Sequence, residues 1–387
     1  MPLIIPQAPP LSIYVHIPWC IRKCPYCDFN SYSINSVTFA EQLYLDALEL
    51  DFAQELPNIL GRTIENIFIG GGTPSLISPL GIARIINHFQ KHLIISPVAE
   101  ITLEANPGTV DQLRLADFKS AGINRLSLGI QSFDNHHLLT LGRIHDSATA
   151  FSAYEAARQA GFENINLDLM FGIPGQNIAQ AKNDLNSACI LLPEHISYYQ
   201  FTIEPQSAFY ANPPPMSDED ILWIMHEQGM EVLQNAGYEH YEISAYTRQQ
   251  NKCRHNLNYW EFGDYLGLGA GAHGKITHPQ KIQRRWKIAH PQDYLAAVNC
   301  TSFLSGTEYL TPADLPVEFM LNALRLVTGV PSDFFLQRTH LSLSEIYPPL
   351  NLARNRGWLD IRLDRIMPTN LGQRFLNEVL ELFLPEG

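Results

Sequence analysis

The sequence predicts an α/β protein: an open, partial β/α barrel of about six units followed by a smaller winged-helix-like α+β domain. Three observations predict it. Short β-rich apolar runs alternate with helical patterns from about residue 11 to residue 245, glycines close several of the helices, and the texture changes past the Pro213-Pro214-Pro215 run and the helix after it. Strand then helix, repeated about six times, pairs in parallel through right-handed crossovers. Six repeats stop short of a closed eight-unit barrel.

The expected strands are residues 11–17, 66–69, 100–104, 124–128, 164–170 and 195–202. Between or after them, apolar residues recur at spacings of three and four over 39–56, 80–89, 110–119, 148–159 and 219–234, the period of a helix with one buried face. Gly122, Gly161 and Gly237 follow the last periodic residue of three of these, where a left-handed cap needs no Cβ. The barrel is expected over 11–245, after an N-terminal extension over 1–10. A glycine-rich connecting region follows over 246–300. The C-terminal domain, 301–387, reads as a helix over 316–326, two further helical segments, a strand pair around 357–361 and an amphipathic helix over 371–384.

Composition narrows the function. The 387 residues are 45% hydrophobic and 17% charged, ordinary for a folded globular chain. With 26 Lys+Arg against 39 Asp+Glu the net charge is −13, which repels nucleic acid and anionic membranes, so the winged-helix-like end is not expected to bind DNA. No run of about 18 apolar residues exists to span a bilayer, and Met1 to Pro6 has no basic n-region, so a cytoplasmic protein that is not integral to a membrane is expected.

Of six cysteines, Cys20, Cys24 and Cys27 fall within eight residues directly after the first strand, while Cys189, Cys253 and Cys300 are scattered. In a reducing compartment that clustering reads as a metal site, not a disulfide framework. Zinc is one reading, although structural zinc takes four ligands and no Cys or His follows Cys27 within a dozen residues. A [4Fe-4S] cube held by three thiolates would leave one iron open to a non-protein ligand. Gly70-Gly71-Gly72-Thr73 follows a strand, so its backbone can approach a ligand closely. Glu104, Gln131 and Asp168 place polar groups at or near three more strand ends, where an unpartnered carboxylate is costly unless a ligand uses it. The literal G-x-G-x-x-G at 269–274 opens no helix and is rejected as a dinucleotide site.

The C-x-x-x-C-x-x-C spacing after Tyr14-Val15-His16-Ile17-Pro18 resembles the radical S-adenosylmethionine (SAM) superfamily, in its oxygen-independent coproporphyrinogen oxidase-like branch. That resemblance implies a barrel of radical SAM type and a [4Fe-4S] cluster on Cys20, Cys24 and Cys27. The open iron would be chelated by the amino and carboxylate groups of SAM, which the reduced cluster cleaves to a 5′-deoxyadenosyl radical. It further implies that Gly71, Gly72 and Thr73 bind the SAM amino group, Glu104 the ribose and Arg143 the carboxylate. Gln131, Asp168 and Tyr14 would complete the pocket, with Tyr26 near the adenine.

Two features set the chain apart from the oxidase. Phe29 stands where that enzyme has a fourth cysteine, and nineteen residues precede Cys20 where the oxidase has a longer segment. The pattern His255-Asn256-Leu257-Asn258-Tyr259-Trp260 is similar to the signature of the HemW-type heme chaperones in the same branch. This implies a heme carrier, with His255 as an iron ligand, Tyr259 and Trp260 as flat faces for the porphyrin, and Cys253 as an alternative attachment point. Read from the residues alone, His255 is a satisfied core histidine beside two aromatics, the commoner fate of a lone histidine, and only the resemblance brings ligation level with it. The expected partners are heme and heme-acceptor proteins, among them membrane-associated respiratory ones. No catalytic residue is assigned. The alternative is a radical SAM enzyme acting on a porphyrinogen.

Overall fold

A computed structural model describes residues 8–300, 302–361 and 364–385; most of the expected N-terminal extension, residues 1–7, lies outside them. The parallel strands run in chain order as expected: β1 (Leu11–Ile17), β2 (Thr63–Gly71), β3 (Ile94–Ala105), β4 (Arg125–Gln131), β5 (Ile165–Phe171) and β6 (His195–Gln200). Each pairs in parallel with the next. Their helix-facing residues, among them Ile13, Val15, Ile67, Leu103, Leu128, Leu167 and Ile196, are fully buried and form one continuous core with the surrounding helices.

The helices between the strands are α1 (Glu41–Glu55), α2 (Pro79–His92), α3 (Gln112–Ser120), α4 (Ser147–Gln159), α5 (Ile178–Leu191) and α6 (Glu219–Asn235). Local chemistry starts them. The Ser78 hydroxyl accepts from Gly81 N with Pro79 in the first turn, and the Asp111 and Asp146 carboxylates accept from Arg114 N and Thr149 N. Gly122, Gly161 and Gly237 all take positive φ after their helices, as expected. Helix α5 has no counterpart in the sequence reading. Its signal was the capping box Asn177–Gln180, in which each side chain satisfies the other residue's backbone N–H.

The sheet extends past both ends of the parallel series. After β6 come β7 (Glu239–Glu242) and β8 (Ala245–Thr247), both antiparallel. Residues 246–300, read from sequence as a connecting region, supply α7 (Arg254–Trp260), β9 (Asp264–Leu268), β10 (His273–His278) and β11 (Lys281–Lys287). Strand β9 lies parallel to β1, so seven strands are parallel where six were expected. With β12 (Leu304–Leu310) the sheet order is β12-β11-β10-β9-β1-β2-β3-β4-β5-β6-β8-β7. Buried charges fasten the added strands. Asp264 accepts from Arg62 Nη1 (2.7 Å), Lys275 Nζ (3.2 Å) and Thr277 N (2.9 Å), while Lys287 pairs with Asp51 and Glu55 of α1.

A second core, including Phe319, Phe335, Val330, Ile366 and Val379, holds the C-terminal region. Its first helix spans Leu315–Ala323, and two more span Asp333–Thr339 and Tyr347–Asn355. The expected strand pair is Leu359–Ile361 with Arg365–Pro368, and Val330–Pro331 adds a third strand. The expected single helix over 371–384 is instead two, Asn370–Arg374 and Leu376–Glu381. Gly372 presses its backbone so close to Trp358 that a Cβ would stand 1.9 Å from that carbonyl oxygen, and the chain turns at Phe375.

Candidate functional site

At the C-terminal ends of the parallel strands, the chain leaving β1 forms a cysteine loop tied at both sides. Trp19 and Cys20 pair with Tyr32 and Ser33, Thr73 N donates to Trp19 O (2.7 Å), and Gly72 N donates to Ile17 O (2.8 Å). The glycine loop must be glycine. A Cβ on Gly72 would lie 2.6 Å from Trp19 O and 3.0 Å from Cys20 Sγ, and one on Gly71, at φ +116°, would lie 2.6 Å from the His16 ring. Cys20, Cys24 and Cys27 are all free thiols, and burial pushes those of Cys20 and Cys27 above their ordinary values. Among the described residues, no three of the His, Cys, Asp and Glu side chains converge on one ion.

The three thiols line a cavity of about 490 Å³, within the size range of a small-molecule site. Tyr26, Gly71, Gly72 and Thr73 line it too, with Glu104, Gln131, Arg143 and Asp168 on the far wall. Glu104 Oε2 accepts from Gly71 N (3.0 Å), and burial, then the charge of Asp168, pushes its carboxyl up to about 8. Near neutral pH this group is mostly protonated and can donate as well as accept. Asp168 accepts from Asn166 Nδ2 (2.7 Å) and Ser127 Oγ (3.1 Å), and burial raises it as well. Gln131 takes φ 73°, a strained backbone for a non-glycine residue at a strand end, and its side chain accepts from Tyr199 OH (2.7 Å).

Arg143 Nη2 donates to Gly129 O (2.6 Å) and Nη1 stands 3.6 Å from Cys24 Sγ. Its Nε is buried with no hydrogen-bond partner. A buried, charged, half-satisfied guanidinium beside thiols and a glycine backbone suits a ligand carrying both amine and carboxylate. The donor set therefore fits the SAM-chelated cluster that the family resemblance implies. Sequence reasoning missed Tyr199 and Gln200, which line the same cavity at the end of β6. The strand-end rule applied to Glu104 and Gln131 would have found them.

Tyr14 stands elsewhere than expected. Together with Tyr259 and Trp260 it lines a second cavity of about 540 Å³, which shares Phe29, Gly71 and Glu104 with the first. Rings dominate its wall: Tyr259 meets Tyr265 edge-on at 4.4 Å, and Trp260 carries the Arg325 guanidinium 4.3 Å from its ring centre. His16, His273 and Asn322 also line it, none of them singled out from the sequence. Tyr14 donates to His16 Nδ1 (2.9 Å). Burial lowers the His273 imidazole, with Arg284 adding to the effect.

His255 lines neither cavity. It is buried behind the second, stacked on Phe68 at 4.9 Å, with Nδ1 2.7 Å from Asn66 Oδ1 and Nε2 3.2 Å from Tyr259 OH. Burial pushes it down to about 3, so it is a neutral ring with both nitrogens engaged. This is the satisfied core histidine of the alternative reading. Cys253, buried against Glu100 and pushed up to about 12 by burial, likewise lines neither cavity.

The sequence matches the radical SAM superfamily over residues 14–188 and the HemN C-terminal domain over residues 310–375. It is 46% identical to the heme chaperone HemW of Haemophilus influenzae, covering 99% of this chain and 100% of that one. Identity to the heme chaperone HemW of Escherichia coli is 43% (98% and 100% covered), and to that of Bacillus subtilis 34% (97% and 99%). The coproporphyrinogen III oxidase HemN of Escherichia coli superposes with a TM-score of 0.82 over 97% of this chain and 90% of that one. At 22% identity, that likeness establishes the fold alone.

Proposed function

Because the chain belongs to the HemW-type heme chaperones of the radical SAM superfamily, we propose that it binds heme in its second cavity and hands it to acceptor proteins, while holding a SAM-ligated [4Fe-4S] cluster in the first. One observation carries this reading: a ring-lined cavity lies against the thiol cavity and shares Phe29, Gly71 and Glu104 with it. A porphyrin needs flat apolar faces, which Tyr259, Trp260 and Tyr265 offer. A sulfonium amino acid needs buried polar groups, which Glu104, Arg143 and Asp168 offer.

In this reading Cys20, Cys24 and Cys27 hold three irons, the Gly71–Thr73 backbone receives the SAM amino group and Arg143 its carboxylate. Glu104 holds the ribose hydroxyls, with Gln131, Asp168 and Tyr26 completing that wall. The cluster, when bound and reduced, supplies an electron to SAM. The chain's own part is to position and to exclude water. Phe29 stands where the resembling oxidase has a fourth cysteine, and a side chain without a sulfur or a titrating proton suits a carrier better than an oxidase. No described helix is long and apolar enough to cross a membrane. The carrier would work from the cytoplasm and deliver to respiratory acceptors at the membrane, without nucleic acid.

Titration of the purified chain with hemin tests this. A saturable Soret change near one equivalent is expected, and its absence would overturn the proposal. Anaerobic incubation with coproporphyrinogen, SAM and a reductant is expected to leave the porphyrinogen unchanged; turnover to protoporphyrinogen would favour the oxidase instead.

A further inference from the structure

Resting on the placement of SAM against Asp168 and going beyond it, we propose that His195, which lines neither cavity, is a positioning residue that ties the wall of the thiol cavity to the start of helix α7. The inner face of the barrel carries a row of polar side chains where a packed core would be apolar. Ser127 of β4, Asn166 of β5 and His195 of β6 are neighbours across the ladder, and all three are buried. Burying such groups is costly unless each finds a partner.

The partners form one chain with a single direction. Cys253 N donates to Tyr241 OH (3.2 Å), which donates to His195 Nε2 (2.8 Å). His195 Nδ1 donates to Asn166 Oδ1 (2.6 Å), and Asn166 Nδ2 donates to Asp168 Oδ1 (2.7 Å). Asn166 Nδ2 also donates to Ser127 Oγ (2.7 Å), which donates in turn to Asp168 Oδ2 (3.1 Å). The carboxylate fixes the amide, because its oxygens accept and so draw the Asn166 nitrogen toward them. Asn166 Oδ1 then has no hydrogen to give, so His195 Nδ1 carries the proton and Nε2 is left to accept from Tyr241. Burial, then the nearby Arg125 charge, pushes the imidazole well below its ordinary value, so the ring stays neutral and keeps one donor and one acceptor.

Every bond therefore points from Cys253 toward Asp168. In a buried chain of this kind each bond polarises the next. A ligand group that donates to Asp168 competes with Asn166 for the carboxylate, and the change passes through His195 and Tyr241 to the Cys253 backbone. That backbone starts α7: Cys253 O accepts from Leu257 N (3.0 Å), closing the first turn of the helix that carries His255, Tyr259 and Trp260. His195 is the rigid link in the middle. An apolar ring in its place would leave the buried Tyr241 hydroxyl without its acceptor and separate the two halves of the chain. The wall that meets SAM and the helix that walls the second cavity with rings are thus set by the same set of hydrogen bonds.

Amide hydrogen exchange of the anaerobically reconstituted full chain, with and without saturating SAM, tests the role of His195. In the unaltered chain SAM is expected to slow exchange across residues 251–260 by about fivefold. His195→Phe, and Tyr241→Phe, which deletes a single oxygen, are expected to lose that response while SAM affinity by calorimetry falls less than about tenfold. His195→Gln, whose amide keeps one donor and one acceptor, is expected to restore it. A purely structural role would speed exchange equally with and without SAM and leave the response in place. Persistence of the response in both Phe variants, or its absence in the unaltered chain with SAM bound, would overturn the proposal. Asp168→Asn binding SAM as tightly as the unaltered chain would instead overturn the placement of SAM against Asp168.

Discussion

The two cavities share a wall but are built on opposite plans. The thiol cavity is assembled from consecutive strand ends: Gly71 closes β2, Glu104 stands at the end of β3, Gln131 ends β4, and Asp168 lies on β5. The ring-lined cavity is assembled from β1, α7, the β9–β10 turn and Asn322 of the C-terminal region, segments that lie far apart in sequence. The first concentrates buried charge and a strained backbone, and the second concentrates rings. A site for a small charged ligand can thus come from one topological rule repeated strand by strand, whereas a flat apolar ligand needs surfaces drawn from several layers.

Removing one thiol should separate the two sites most sharply. Cys24→Ser is expected to reduce iron and sulfide in anaerobically reconstituted protein to background while hemin affinity changes less than about twofold. Joint loss of both, in a variant that stays folded, would break the comparison. On the other side, Trp260→Ala removes a ring from the second cavity and the support under Arg325. Hemin affinity is expected to fall about tenfold, with stability reduced by roughly 1–3 kcal/mol and SAM binding unaltered by calorimetry.

The shared wall has a pH signature. Because burial and Asp168 push Glu104 up to about 8 from its ordinary 4.5, the folded chain keeps a proton that the unfolded chain releases. Stability from this group therefore falls as pH rises from about 4.5, and the loss is complete above about 8. Glu104→Gln cannot titrate, so its melting temperature should drop less than that of the unaltered chain between about pH 6 and about pH 9. Equal drops would show that Glu104 titrates normally. The smallest effect belongs to Tyr259→Phe, which deletes the hydroxyl at 3.2 Å from His255 Nε2. A loss of about 1 kcal/mol in denaturant unfolding is expected, with the hemin spectrum unchanged.

The same contrast explains what could be read from the chain. Strand ends lie at predictable places once the alternation is recognised, so Glu104, Gln131 and Asp168 could be named before any coordinates, and all three line the thiol cavity. Strand β9 could not. Gly267 inside it and Gly269 after it read as loop, and only the close packing of Gly267 against His273 and its pairing with β1 make that segment part of a sheet. His255 stood out because it sits in a recognisable motif, but its hydrogen bond to Asn66 joins residues 189 apart, which no local pattern reveals. Helix α5 shows little apolar period because its buried face is Ala181, Asp184, Leu185 and Ala188, small and partly polar, although its capping box is legible.

Two ligands on two adjoining cavities is the central claim, and simultaneous occupancy tests it most directly. Reconstituted protein would be titrated with hemin in the presence and absence of saturating SAM, with bound SAM counted in the same samples. The account predicts one equivalent of hemin in both series, with SAM retained throughout. Displacement of one ligand by the other in equal measure would mean a single site, and would contradict it.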